Sequence, residues 1–140
     1  MHIQCDRSKQ HLTLDQSEYL KKIIEHFKLT NAKVAQTPLP AGYQPSNYDG
    51  PVDPKRCQEY QQVIGSLLYL LLGTRADIAY HVAKMSQHSV NPSQDHLNKA
   101  YYIIHYLIGT AKYFLIYDGN SGEGFYANLD SDHASDPDTH

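Results

Sequence analysis

The sequence predicts a mainly helical α+β fold, and three observations carry that prediction. The stretch from Glu59 to Met85 is the most apolar part of the chain and has the periodicity of two helices in series with a tight break between them. A proline-rich polar stretch from Thr30 to Pro54 excludes a long helix and predicts an extended linker. Short apolar runs bounded by polar turns stand at both ends and predict β-hairpins.

In chain order, His2 to Cys5 and Leu12 to Leu14 flank Asp6-Arg-Ser-Lys-Gln10, a hairpin with a polar turn. Asp15 followed by Glu18 has the capping-box spacing, which predicts a helix from Asp15 to about Lys28. Tyr19, Leu20, Ile23, Ile24 and Phe27 form its apolar stripe, and Glu18, Lys21, Lys22, Glu25 and Lys28 its solvated face. In the linker, Tyr43 and Tyr48 are expected to pin the extended chain to whatever it crosses.

Val63, Ile64, Leu67, Leu68 and Leu71 give the first central helix one buried stripe. Gln58, Gln61, Gln62, Gly65 and Tyr69 fall on a second face that is polar but uncharged. Gly73-Thr74 ends that helix and Thr74 is expected to cap the next, whose stripe is Ile78, Val82 and Met85. Asn91-Pro92-Ser93 breaks the chain again, with Ser93 as N-cap. Leu97, Ala100, Tyr101, Ile104, Leu107 and Ile108 mark a third helix ending at Gly109-Thr110, so three helices can close a small antiparallel bundle. Tyr113 to Tyr117 and Phe125 to Leu129 read as two strands of a new β element. The expected division is residues 1–29 as hairpin plus helix, 30–54 as linker, 55–110 as helical unit and 111–140 as the start of a second β unit.

Composition narrows the function classes. A hydrophobic fraction of 41% is too high for a disordered chain, and the longest apolar run, Leu67 to Leu72, is far too short to cross a membrane. With Cys5 and Cys57 as the only thiols and no secretory signal, the expected setting is reduced and intracellular, cytoplasmic or nuclear. The net charge of −3 conceals an asymmetry: all six acidic groups from Asp118 onward lack any basic neighbour in sequence, so residues 1–117 carry 12 basic against 9 acidic groups. That balance is compatible with a phosphate-bearing partner. The nine histidines are scattered without metal-ligand spacing, and there is neither a phosphate-cradling glycine loop nor a nucleophile with a recognisable base. An ion pair between Arg75 and Asp77 is expected at the start of the second central helix, where the positive helix end also favours Asp77.

The order of several motifs resembles the Pol polyprotein of copia-type retrotransposons. They are Leu14-Asp-Gln-Ser-Glu-Tyr-Leu20, Gln36-Thr-Pro-Leu39, Tyr60-Gln-Gln-Val-Ile-Gly-Ser-Leu-Leu-Tyr-Leu70, Thr74-Arg-Ala-Asp-Ile-Ala79, Asn91-Pro-Ser93 with His96, Tyr106-Leu-Ile-Gly-Thr110 and Asp130-Ser-Asp-His-Ala134. Each is weak alone, but together they are collinear over almost the whole chain. The resemblance implies the end of a reverse transcriptase palm (residues 1–29), a thumb and connection, and the first strands of a ribonuclease H domain. It implies that Gln61, Gly65 and Tyr69, at i, i+4, i+8, face the minor groove of a template–primer duplex. There a glycine allows close approach, an amide bonds base edges or sugars, and a ring packs on a sugar. Asp130 matches the first metal-binding carboxylate of ribonuclease H.

Two departures qualify the resemblance. No Tyr-Val-Asp-Asp type turn, where such polymerases hold their catalytic aspartates and Mg²⁺, occurs in the sequence, and His133 stands where the family has Trp. The expectation is a polyprotein fragment, cut or from a degenerate element, that binds an RNA–DNA hybrid or DNA duplex but neither polymerises nor holds Mg²⁺ alone. The competing expectation is a non-catalytic helical interaction module, self-associating through bare apolar stripes, or an inert remnant.

Overall fold

The computed structural model describes residues 1–119, which form four α-helices and one three-stranded antiparallel sheet. The fold is mainly helical α+β, as the sequence predicts. Strands β1 (His2–Asp6) and β2 (His11–Asp15) pair in the register His2 to Asp15 and Asp6 to His11. Their turn is held by the Asp6 carboxylate, which accepts from the Ser8 and Lys9 amides at 3.0 and 3.2 Å, and Gln10 closes it at φ 54°.

Helix α1 (Ser17–His26) starts two residues later than the capping-box spacing predicts. Asp15 belongs to β2, and its carboxylate accepts from the Ser17 amide at 2.7 Å and the Ser17 hydroxyl at 2.9 Å. Glu18 pairs with Lys21 instead of reaching back, so the expected box does not form. The strand wins because Asp15 is still in register with His2. The helix ends in a Schellman turn: Lys28 takes φ 57°, the Leu29 amide donates to the Ile24 carbonyl, and the Lys28 amide to that of Glu25.

Helix α2 (Pro54–Gly73) has Asp53 as N-cap and Pro54 in its first turn, where a missing N–H costs nothing. Its buried side chains are Tyr60, Val63, Ile64, Leu67 and Leu70. The stripe is therefore centred between Tyr60 and Leu67, and at about 100° per residue Leu68 falls well off that centre. Contrary to the sequence reading, Leu68 is exposed.

After α2 the chain makes a 3₁₀ turn (Ala76–Ile78) into α3 (Ala79–Ser86), and neither start has a side-chain cap. Thr74, expected to cap this segment, is the C-cap of α2: its amide donates to the Leu70 carbonyl and its hydroxyl to the Gln16 side chain. Ile78, Val82 and Met85 are fully buried, as their spacing predicts. The Tyr60 hydroxyl reaches across to the Met85 carbonyl at 2.5 Å and ties the end of α3 to α2.

Helix α4 (Gln94–Gly109) begins at the expected N-cap, Ser93, in a reciprocal box. The Ser93 hydroxyl accepts from the His96 amide, and His96 Nδ1 accepts from the Ser93 amide, both at 3.1 Å. Its buried face, Leu97, Ala100, Ile103, Ile104 and Leu107, closes against α2 and α3, and Leu20 and Ile23 of α1 join the same cluster. Residues 30–53 cross this bundle without helix or strand, through turns at 30–31 and 41–42, with Leu39 in the core. Both expected pins are present: Tyr43 donates to Asp95 at 2.8 Å, while Asn91 donates to the Tyr48 carbonyl at 3.2 Å and Arg56 covers the Tyr48 ring.

Strand β3 (Leu115–Asp118) does not stand apart from the N-terminal hairpin. It adds to β2 as a third antiparallel strand, with Leu14 opposite Leu115 and His11 opposite Asp118. The partner strand expected over Phe125–Leu129 lies outside the described residues.

Candidate nucleic-acid interface

Rotation of α2 decides which of its side chains can meet a ligand. With Tyr60, Val63, Ile64, Leu67 and Leu70 turned inward, the opposite face carries Lys55, Gln58, Gln62, Gly65 and Tyr69 at spacings of three and four. All five are exposed. From Tyr60 to Gly73 the helix has no charged residue, so the middle of this face is neutral.

The three residues singled out by resemblance do not behave alike. A methyl group at Gly65 would meet no atom of the rest of the fold within 4 Å. Gly65 is therefore not a packing glycine, and its openness leaves room for close approach from outside. Tyr69 is half exposed and packs on Tyr19 of α1, with ring centroids 4.5 Å apart and planes at 57°. This contact fixes the ring on the open face and does not bury it. Gln61 is exposed on the same face, but its amide donates to the Ser89 carbonyl at 3.0 Å, which ties it to the loop before α4. All three thus share the open face, with Gln61 held by the loop and Gly65 free of internal contact.

At the N-terminal end of the same face is a shallow cleft of about 430 Å³ between the end of α1 and the start of α2. Lys28, Lys55, Gln58 and Gln62 are among the residues that line it. It supplies two cations where the neutral stripe ends. Sequence reading placed Gln58 and Gln62 on the correct helix face, but the approach of Lys28 depends on the left-handed turn that ends α1, for which no residue pattern was available. Tyr101 and Glu59 also line the cleft, the hydroxyl donating to the carboxylate, so one anion stands beside the two cations.

The other end of α2 is locked by polar groups. Gln16, only 4% exposed, accepts from the Thr74 hydroxyl at 2.9 Å and donates to the Tyr69 carbonyl at 3.3 Å. Gly73 makes room for this amide, since a methyl there would lie 2.4 Å from it. Arg75 is buried and makes the expected pair with Asp77 as a two-pronged contact at 2.9 and 2.7 Å. Its remaining N–H groups donate to the Thr110 carbonyl at 3.2 Å and hydroxyl at 2.6 Å, and its plane lies near the rings of Tyr106 and Tyr113. Burial works against ionising Asp77, but hydrogen bonds from Arg75 and Tyr106 prevail and hold its carboxyl below the ordinary value. This cluster joins α2, α4 and the approach to β3, so it is structural.

Asp130 lies outside the described residues. Among the described residues, no group of three or more His, Cys, Asp or Glu side chains is placed to hold a metal ion. No described helix is long and apolar enough to cross a membrane.

Comparison with known proteins agrees with the motif order. Over 125 residues the chain is 33% identical to the retrovirus-related Pol polyprotein from transposon TNT 1-94 of Nicotiana tabacum, covering 86% of this chain and 9% of that protein. Over 138 residues it is 32% identical to the Pol polyprotein from transposon RE1 of Arabidopsis thaliana, covering 97% of this chain and again 9% of the relative. An uncharacterized mitochondrial protein of Arabidopsis thaliana is 29% identical over 127 residues, which cover 88% of this chain and 50% of that protein. No family model matches the chain, and no solved structure matches it at a significant level. Spanning about a tenth of the polyproteins it matches, the chain is a homologue of one segment of the retrovirus-related Pol polyproteins of copia-type transposons.

Proposed function

We propose that residues 55–110 are the thumb of a retrotransposon reverse transcriptase and that the open face of α2 holds an RNA–DNA hybrid or DNA duplex. In this reading polymerisation and its Mg²⁺ belong to carboxylates outside these 140 residues, residues 1–29 end the palm with β3 added to their hairpin, and the ribonuclease H unit begins after β3. The observation that carries the proposal is Gly65. A glycine in mid-helix costs stability unless something needs the space, and nothing within the fold occupies it. Tyr69 one turn on offers a ring to a sugar or base edge, and Lys28 and Lys55 at the end of the face offer cations to phosphates.

The test is a fluorescence-anisotropy titration of the chain with an RNA–DNA hybrid at low and moderate salt. Saturable binding that weakens with salt is expected. Gly65→Leu, whose Cβ meets nothing of the fold within 4 Å, weakens it by about tenfold or more because its side chain fills the approach. Alanine at Lys28 or Lys55 lowers the salt slope by roughly one each and leaves hybrid sequence preference unchanged. If Gly65→Leu binds as tightly as the parent, the groove assignment fails.

A second reading is favoured by Leu72 and Leu68, 81% and 38% exposed beside this face. It makes the face a dock for another protein segment. Under it, a chain shown to be folded by circular dichroism gives no saturable response to hybrid at any salt concentration.

A further inference from the structure

Two side chains at the start of α1 converge on Tyr69, the aromatic residue of the open face. Gln16 stands at the N-cap of α1 but makes no side-chain bond to its own helix, where Asp15 serves the Ser17 amide. Its buried amide reaches α2 instead, donating to the Tyr69 carbonyl at 3.3 Å and accepting from the Thr74 hydroxyl at 2.9 Å, in the space that Gly73 leaves. Tyr19, in the first turn of α1, sets its ring 4.5 Å from that of Tyr69 at 57°. Helix α1 and its cap therefore hold Tyr69 twice, once by the backbone and once by the ring.

A half-exposed tyrosine on a helix has more than one staggered orientation open to it, and a ligand that needs one of them must pay for excluding the others. Tilted rings at this centroid distance attract each other, so Tyr19 removes most of that freedom before any ligand arrives. Tyr69 still keeps 51% of its surface exposed, so the contact orients the ring without covering it.

We propose that Tyr19 is a positioning residue of the duplex-binding face: with the Tyr69 backbone fixed by Gln16, the Tyr19 ring holds the Tyr69 ring in the orientation that meets a sugar. The proposal rests on the reading of α2 as a face that holds a duplex. It adds that residues 1–29 set the affinity of a surface built on another part of the chain.

The test is an anisotropy titration with RNA–DNA hybrid on the parent chain, Tyr19→Leu, Tyr69→Ala and the double variant, each shown to be folded by circular dichroism. Tyr19→Leu keeps apolar bulk on α1 and removes the ring. It is expected to weaken binding by about three- to tenfold, the range that ordering one side chain accounts for. Its salt slope stays that of the parent, because no phosphate contact is lost. In the Tyr69→Ala background the same substitution changes affinity by less than about twofold, because the ring it positions is gone. Tyr19→Phe, which keeps the ring, binds as the parent does.

Parent-like affinity of Tyr19→Leu overturns the proposal. So does a loss of equal size with and without the Tyr69 ring, which would make Tyr19 a contact of the duplex or a prop of the fold. Tyr19→Phe binding as weakly as Tyr19→Leu overturns it as well. Failure of the underlying reading has a different signature: the folded parent gives no saturable binding, or Gly65→Leu binds as tightly as the parent, and the proposal falls with it.

Discussion

The two ends of α2 use polar residues in opposite ways. At the C-terminal end, buried Gln16 and Thr74 satisfy each other, and buried Arg75 is satisfied by Asp77 and Thr110 at the edge of solvent. Along the open face, Gln58, Gln62, Gly65 and Tyr69 look outward, next to two lysines in a shallow cleft. A buried polar group must find its partner inside the fold, whereas an exposed neutral one has no such obligation and can be used for a ligand. Residues of similar chemistry on one helix therefore separate into a scaffold and a candidate interface by burial alone.

The largest expected effect breaks the scaffold side. Arg75→Ala removes the guanidinium from Asp77 and from both oxygens of Thr110, leaving a partly buried carboxylate without its cation. Arg75 is buried but about a third of the Asp77 side chain meets water, so the loss is expected between the roughly 1 kcal/mol of a surface pair and the ~3 kcal/mol at which buried pairs begin. The urea midpoint of the variant at neutral pH measures this. A loss below about 1 kcal/mol would place the pair among ordinary surface contacts and dissolve the contrast between the two ends.

That contrast was only half legible in the sequence. The Arg75–Asp77 pair could be read from spacing two residues apart, but its anchoring to Thr110 and Tyr106 joins groups more than 25 residues away, which no local pattern encodes. The helices were legible because apolar periodicity is strong in each. The failures had specific competitors. Asp15 lost its cap role to strand pairing, Leu68 lost its buried place because Tyr60 and Leu70 recentre the stripe, and β3 found its partner in β2, about a hundred residues earlier in the chain. The shared exposed face of Gln61, Gly65 and Tyr69 was legible from helical spacing, while the hydrogen bond from Gln61 to Ser89 depends on a loop conformation.

A pH series probes the scaffold next, at the start of α4. Burial holds His81, His96 and His105 below the ordinary value of 6.5, and His88 stacked at 4.3 Å adds to the effect on His96. The unfolded chain therefore takes up protons near 6.5 that the folded chain refuses. Stability should be complete above that value and fall as the pH drops below it, with Asp77 adding a further loss below 3.8. Urea midpoints at about pH 7.5 and about pH 5.5 measure the drop. His96→Gln keeps an acceptor for the Ser93 amide but cannot titrate, so it should hold the neutral-pH midpoint and reduce the acid loss to the share of His81 and His105. Ser93→Ala, which removes the cap itself, should cost about 1 kcal/mol at every pH in this range.

The smallest expected effect decides what the open face is for. Gly65→Ala adds a methyl group where the fold has nothing within 4 Å, so the helix gains propensity without a clash. Stability should rise by about 0.5–1 kcal/mol, seen as a higher urea midpoint with unchanged slope. A fold left to optimise itself would have that methyl group already, so the gain measures what the glycine sacrifices. If hybrid affinity falls while stability rises, the sacrifice is explained by the approach of a ligand to α2. If stability rises and affinity is unchanged, the glycine serves neither the fold nor the duplex, and the open face loses its strongest claim to be an interface.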